Sequence, residues 1–390
     1  MTKCPHLLIM FTLWGLGSVA QPATALGVAT DSRTVAESLD DNTVTSPILI
    51  AAPQNLNPGL HEPPPALPII PEADPSANPS DDLSEPAALE AITPQVHVPF
   101  IEWESLEIDV SDSLSNFGQG NRILTPIFRG QLANGDAISL SPGFNQFEMP
   151  TIESVTHIPL TVAWEGDIND VSLAIEGGLD IYNRLPLDTH FDAQVSVPLG
   201  NAATLSMAVE QGPYLFNAQT LENGISTWRY GPNIFWQIDP KTTLFSLVRL
   251  GHFNDGNFEQ QSFSRLERTF WGEAAIAANL FNWSFQQDLE TTSGYFSPPD
   301  FLVASLEVSW EKEIIEDVSC RVAANLGQQR LNGSWATGYG HQALCAFDFI
   351  PGLPFDFGYN YSNVGNGQTF LSDESAYNNF EWVGGVTIQF

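Results

Sequence analysis

Phe380-Glu381-Trp382-Val383-Gly384-Gly385-Val386-Thr387-Ile388-Gln389-Phe390 is the stretch that decides how this chain is read. Successive side chains of a strand point to opposite faces. One face therefore collects Phe380, Trp382, Gly384, Val386, Ile388 and Phe390, and the other Glu381, Val383, Gly385, Thr387 and Gln389. A half-polar strand with an aromatic at each end and a terminal Phe suits the closing strand of an outer-membrane β-barrel. Its outer face meets lipid, its inner face meets water, and aromatics mark the two interfaces.

The same period of two recurs upstream. Phe355 to Ser362 alternates aromatic with small or polar residues, and Ala343, Cys345, Phe347 and Phe349 alternate against Leu344, Ala346 and Asp348. Val318, Cys320, Val322, Ala324 and Leu326 alternate against Ser319, Arg321, Ala323, Asn325 and Gly327, as Leu302 to Trp310 does at its even positions. Further strands are expected at Ser154 to Trp164, Val171 to Tyr182, His190 to Pro198, Thr204 to Glu210, Thr227 to Gln237 and Thr243 to Phe253. The connections alternate too. Ile350 to Pro354 and Glu313 to Asp317 are short, Asn363 to Asn379 and Asp288 to Phe301 are long, and Leu331 to Gly340 is intermediate. Short periplasmic turns and long external loops are the habit of outer-membrane barrels, which puts both long loops outside. The fold class expected is all-β: one antiparallel barrel over residues 98–390. At about nine to eleven residues per spanning strand, that length supplies about 14–16 strands, wide enough for a watery lumen.

Two segments precede the barrel. Lys3, an apolar run from Leu7 to Val19 and a small-residue site at Ala23-Thr24-Ala25 read as a signal peptide over 1–25. Residues 26–97 lack aromatics, carry Arg33 as their only basic residue and include Pro63-Pro64-Pro65. Such a segment buries too little apolar surface to offset chain entropy, so a disordered acidic linker is expected. The whole chain has 46 acidic against 13 basic residues, a formal charge of −33. That balance argues against nucleic acid as a partner. It also suits a lumen that passes neutral or cationic polymers and resists anionic ones.

Ser293-Gly294-Tyr295-Phe296-Ser297-Pro298-Pro299-Asp300-Phe301-Leu302 carries a resemblance. Gly-Tyr-Phe-Ser-Pro, a strand, then Trp310-Glu311-Lys312-Glu313 resembles the C-terminal barrel of the cellulose synthase operon protein C family. Asn282-Trp283-Ser284-Phe285 and Tyr377-Asn378-Asn379-Phe380 are similar to segments of those barrels as well. The likeness covers residues 240–390 most specifically. It implies an outer-membrane porin through which an exopolysaccharide leaves the periplasm, with the glycan, outer-membrane lipid and a periplasmic scaffold or polymer synthase as partners. Members of that family usually carry a tetratricopeptide solenoid before the barrel, where this chain has the Pro-rich linker. The rival expectation is a general diffusion porin, or a structural barrel whose linker binds the cell wall or a partner.

Two groups of residues are candidates for the path of a polymer. Tyr295, Phe296, Ser297 and Pro298 lie in an external loop, either offering aromatic faces to sugar rings or packing against the rim. Glu307, Ser309, Glu311, Arg321, Asn325, Asp348, Asp356, Asn360, Glu381 and Gln389 point inward by parity. Arg321 lies close to Glu307 and Glu311 across a short turn, which favours an electrostatic brace. Cys320 and Cys345 point outward. A hairpin turning at Asn332-Gly333 sets them opposite one another for a disulfide, whereas a turn at Gly338-Tyr339-Gly340 leaves them apart. No metal set, cofactor motif or catalytic constellation emerges along the sequence, and a non-enzymatic chain is expected. His190 and Ser196 are the nearest approach to the His-Ser pair of an outer-membrane lipase or palmitoyl-transferase type barrel.

Overall fold

The structure is a computed structural model, and it describes residues 100–115, 118–150, 152–350, 352–364 and 378–390. The expected signal peptide, the expected linker and most of the connection from Asn363 to Asn379 lie outside the described residues. The strands are β1 (Ile101–Ser115), β2 (Gly120–Leu132), β3 (Ala137–Pro142), β4 (Phe144–Met149), β5 (Ile152–Ile168) and β6 (Val171–Tyr182). They continue as β7 (Asp188–Leu199), β8 (Ala203–Pro213), β9 (Ser226–Asp239), β10 (Thr242–Phe253), β11 (Phe258–Thr269) and β12 (Ala274–Phe285). The last five are β13 (Phe301–Ile315), β14 (Val318–Leu331), β15 (Ser334–Phe347), β16 (Phe355–Ser362) and β17 (Asn379–Gln389). Two short helices, α1 (Ala218–Glu222) and α2 (Glu290–Ser293), sit in the connections after β8 and β12.

Every pairing round the sheet is antiparallel, and β1 pairs with β17 from Ser105↔Gln389 to Ser115↔Asn379. The sheet is therefore a closed barrel with no free edge, as a bilayer demands of any β structure. β3 and β4 both lie between β2 and β5, end to end, so seventeen strands make sixteen staves. The break has a local cause. Pro142 and Pro159 have no N–H for the ladder, and Gly143 N donates to Pro159 O across 2.8 Å. A Cβ on Gly143 would stand 2.6 Å from the Pro159 ring, so only glycine fits there.

The alternation of faces is the clearest agreement between chain and fold. On β13, Leu306 and Val308 are 63% and 58% exposed while Glu307 between them is 1% exposed. Large apolar side chains stand on the outside all round: Ile158, Leu160 and Val162 on β5, Ile175 and Leu179 on β6, Val322 and Leu326 on β14. A continuous apolar exterior on a closed sheet is a lipid-facing surface. Phe380, Trp382 and Phe357 belong to it, and Phe357 stacks on Trp382 at 5.5 Å. The long connections 214–225, 286–300 and 363–378 all leave from one end, which is the external one.

One connection is shorter than expected. The segment from Leu331 to Gly340 is no intermediate loop: Asn332 and Gly333 both have positive φ, 47° and 85°. They make a two-residue hairpin turn, and the ladder resumes at once from Leu331↔Ser334 to Asn325↔Gly340. That register sets Cys320 opposite Cys345, and the structure joins them with an S–S distance of 2.11 Å.

Candidate functional site

The external mouth is occupied by two loops. The first, 214–225, leaves β8 with Tyr214 and Phe216, then turns into α1. Asn217 caps that helix, its side chain accepting from Thr220 N at 2.8 Å. Five residues make no stable helix in isolation, so α1 depends on its contacts. Ala218 and Leu221 pack on Phe147 and Val155 of β4 and β5, so a loop that begins at β8 crosses the mouth. Gln119 donates to Phe216 O, and Arg184 pairs with Glu222, fixing the loop from two further sides.

The second loop, 286–300, turns inward and carries the motif that the sequence singled out. Tyr295 is fully buried, stacked on Phe253 at 4.9 Å and edge-on to Tyr214 at 5.4 Å. Its hydroxyl donates to Asp255 Oδ2 and accepts from Asn257 Nδ2, both at 3.0 Å. Burial, before any neighbouring charge, pushes this phenol above its ordinary value and keeps the donated proton in place. Phe296 packs on Trp283 and Phe301 at 5.8 and 5.6 Å. Ser297 Oγ accepts from Leu289 N, and Pro298 O accepts from Phe285 N, closing the loop on itself and on β12. Tyr295, Phe296, Ser297 and Pro298 are all buried, so none offers a face to a passing chain in this structure. They complete an aromatic core with inward side chains of β10 to β13, among them Phe245, Phe263, Phe281 and Phe285.

The two loops are clasped to each other. Asn217 Nδ2 donates to Gly294 O at 2.8 Å, and Asn223 Nδ2 reaches Thr292 O at 3.3 Å. Gly294 has φ of 85°, and a Cβ there would meet the Gln219 side chain at 2.7 Å. Gly294→Ala is expected to cost the lid about 1–3 kcal/mol through backbone strain plus that contact. Faster hydrogen exchange across 286–300 than in the parent would register it; unaltered exchange would mean that the clasp does not hold the lid. Glu290 adds a pH dependence. Burial first, and the charge of Asp288 second, raise its carboxyl from 4.5 to about 7. A raised carboxyl favours the closed lid while protonated, so that stability is complete below about pH 4.5 and is lost as pH rises to 7. Exchange at 286–300, corrected for its intrinsic pH dependence, should rise over that window. Glu290→Gln should flatten the profile.

Beneath the lid lies a cavity of about 670 Å³, lined by Glu176, Asp192, Glu210, Glu259 and Glu381 with Arg229 and His190. The acids follow from register, since Glu176 is opposite Asp192 and Asp192 is opposite Glu210 on consecutive strands. Arg229 ties wall to lid. It pairs with Glu259 at 3.0 Å and Glu210 at 3.4 Å, and its guanidinium lies 4.6 Å from the Tyr214 ring centre. Trp283 Nε1 donates to the other oxygen of Glu259 at 2.9 Å.

The inward residues expected on a polymer path lie on the lumen face of their strands, except Asp348, which is exposed just past the end of β15, and they do not share one surface. Glu311 is exposed near the periplasmic end, whereas Glu307, Asn325 and Asp356 are enclosed, at 1%, 5% and 1% exposure. Asn360 is half-buried beside them. Neighbouring side chains cover those enclosed groups, so a polymer would reach them only if these neighbours moved. Arg265 of β11, which the sequence reading missed, holds Glu307 at 2.8 Å and Asn279 Oδ1 at 3.2 Å. Arg321 stands 3.8 Å from Glu307 Oε1, as a brace would. His190 and Ser196 do not form a pair, in keeping with the commoner role of a hydrogen-bonded structural histidine. Both face the lumen rather than lipid, Ser196 bonds Ser206 at 2.8 Å, and His190 bonds Asp180 at 2.9 Å.

A closed sixteen-stave barrel with an apolar exterior, a polar interior and a loop-filled mouth is an outer-membrane β-barrel. Among solved structures, the chain is similar to a bacterial polysaccharide outer membrane secretin, with a TM-score of 0.61 at 11% identity, over 74% of this chain and 98% of that one. It is also similar to CdiB from Acinetobacter baumannii, with a TM-score of 0.47 at 10% identity over 75% and 60% of the two chains. Pseudomonas aeruginosa OpdQ matches with a TM-score of 0.44 at 10% identity, over 75% and 100%. No family model and no curated protein matches the sequence.

Proposed function

We propose that this chain is a passive outer-membrane conduit for an exopolysaccharide, neutral or cationic in character, driven by synthesis or assembly elsewhere. The observation that carries this reading is the cavity under the lid, where five carboxylates are spaced over the wall and one arginine is already engaged by two of them. A polymer must be held weakly at many points so that it keeps moving, and spaced acceptors suit sugar hydroxyls or amino groups. The likeness to a polysaccharide secretin supports the same reading, as does the resemblance of the Gly294–Pro298 motif to cellulose-export barrels. The proposed partners are the glycan, outer-membrane lipid and a separate periplasmic scaffold or polymer synthase. Tyr295, Phe296 and their neighbours then act as a closed lid, and the polymer's arrival must displace them.

Deleting the gene in its source bacterium tests this directly. Loss of surface polysaccharide with accumulation in the periplasm is the expected result. Unchanged surface polysaccharide together with reduced uptake of small solutes would put the diffusion-porin reading in its place.

A further inference from the structure

The register of β5, β6 and β7 brings together residues that no motif scan connects. Thr161 lies opposite Gly178, and Gly178 lies opposite His190, so the imidazole can lie across the glycine to reach the hydroxyl. A Cβ on Gly178 would stand 2.6 Å from that ring. Thr161 Oγ1 is 3.0 Å from His190 Nε2, and His190 Nδ1 is 2.9 Å from Asp180 Oδ2. The other oxygen of Asp180 is 2.7 Å from His157 Nε2, and Asn145 Nδ2 is 3.1 Å from His157 Nδ1.

The protons in this chain have one consistent assignment. Asn145 can only donate to His157 Nδ1 through its amide nitrogen, so His157 carries its hydrogen on Nε2 and donates to Asp180. Asp180 is then an ionised acceptor shared by two imidazoles, and His190 donates to it from Nδ1. Nε2 of His190 is left with its lone pair directed at the Thr161 hydroxyl. A hydroxyl on a base whose far nitrogen is fixed by a buried carboxylate is the arrangement that activates an oxygen nucleophile. Asp180 is 1% exposed, but Thr161 and His190 are only partly covered, and His190 lines the 670 Å³ cavity. Ser141, opposite Thr161 on β3, adds a second hydroxyl to the same lumen face.

We propose that Thr161, His190 and Asp180 form an ester-hydrolysing site in the lumen wall, acting on short acyl esters of hydroxylated solutes. Thr161 Oγ attacks the acyl carbon while its proton passes to His190 Nε2. The ester's C–O bond breaks, and the departing alkoxide takes that proton to leave as an alcohol. Water, deprotonated by His190 in the same way, then cleaves the acyl-threonine to a carboxylic acid and restores the hydroxyl. The net reaction is ester plus water to alcohol plus acid. Asp180 is a positioning residue, and His157 fixes Asp180. Thr161 and His190 are both only partly covered, so a short acyl group reaches the hydroxyl without moving the wall.

The test uses the full chain refolded in detergent, with p-nitrophenyl acetate as substrate and a fluorophosphonate as covalent probe. Wild type should hydrolyse the ester above the detergent blank and gain one probe on the peptide containing Thr161. Thr161→Ala should lose the label and at least tenfold of the rate, and Thr161→Ser should keep both. His190→Gln should lose at least tenfold of the rate and leave it independent of pH, and Asp180→Asn should change the shape of the pH profile rather than only lower its plateau. Heat-modifiable migration shows whether each variant is folded. Folded wild type that neither labels nor exceeds folded Thr161→Ala overturns the proposal.

Discussion

Removing Thr291 to Pro299 is expected to raise single-channel conductance several-fold in planar bilayers, the largest functional change that any short edit should produce. The segment contains Gly294, whose carbonyl receives Asn217, and Tyr295 and Phe296, whose rings close the mouth. Their loss also removes the clasp of Asn217 and Asn223 on this loop, while α1 keeps its packing on Phe147 and Val155 and its pair with Arg184. The wall should survive, because Phe301 to Ile315 remains paired on both sides, with β12 and with β14. The cost falls on the aromatic core, where Phe253, Phe285 and Trp283 lose ring partners worth about 0.5–1.5 kcal/mol each beyond the buried area. A variant that migrates as a folded barrel yet conducts like its parent would show that the constriction lies elsewhere in the lumen. A variant that conducts more but exports no more polysaccharide would separate the gate from the proposed cargo.

How much of this was legible in the sequence depends on the range of the interaction. Face parity needs only the pleat, so Phe355 to Ser362 and Leu302 to Trp310 declared their inner and outer sides from composition alone. The hairpin at Asn332-Gly333 was one of two turns that the sequence offered, and only the structure selects it and the register that opposes Cys320 and Cys345. The lid was only half legible. Pro298-Pro299 showed that 286–300 must leave the wall, but nothing local shows that Gly294 meets Asn217, seventy-seven residues earlier. Tyr214-Leu215-Phe216 followed by Asn217 and Thr220 was the available signal for the other half, an aromatic pair ahead of a helix cap. The burial of Glu307 and the chain from Thr161 to Asn145 arise from strands that meet only when the barrel closes. Parity tells which side of the wall a residue faces, not what stands across from it.

Arg265 is a buried cation that closure surrounds with Glu307, Glu267 and Asn279, and Arg265→Met is expected to destabilise the folded barrel by about 3–5 kcal/mol. Its side chain is 2% exposed and Glu307 is 1% exposed, with Nη2 to Oε1 at 2.8 Å and Nη1 to Oε2 at 3.2 Å. Glu267 takes a further contact at 2.5 Å, and Asn279 Oδ1 accepts at 3.2 Å. Methionine fills much of the same volume but leaves Glu307 enclosed without its principal cation. Arg321 Nη2, 3.8 Å from Glu307 Oε1, offers partial replacement, which places the effect toward the lower end of that range. The penalty belongs to the stranded carboxylate rather than to the pair, so removing both charges should cost less than removing one. Arg265→Met with Glu307→Gln is therefore expected to recover at least half of the loss, measured as the urea midpoint of the refolded barrel in detergent. Equal midpoints for the single and double variants would show that Arg265 acts through its other partners, Glu267 and Asn279. A single variant within about 1 kcal/mol of wild type would mean that water reaches Glu307 and that this part of the lumen is wetter than its burial implies.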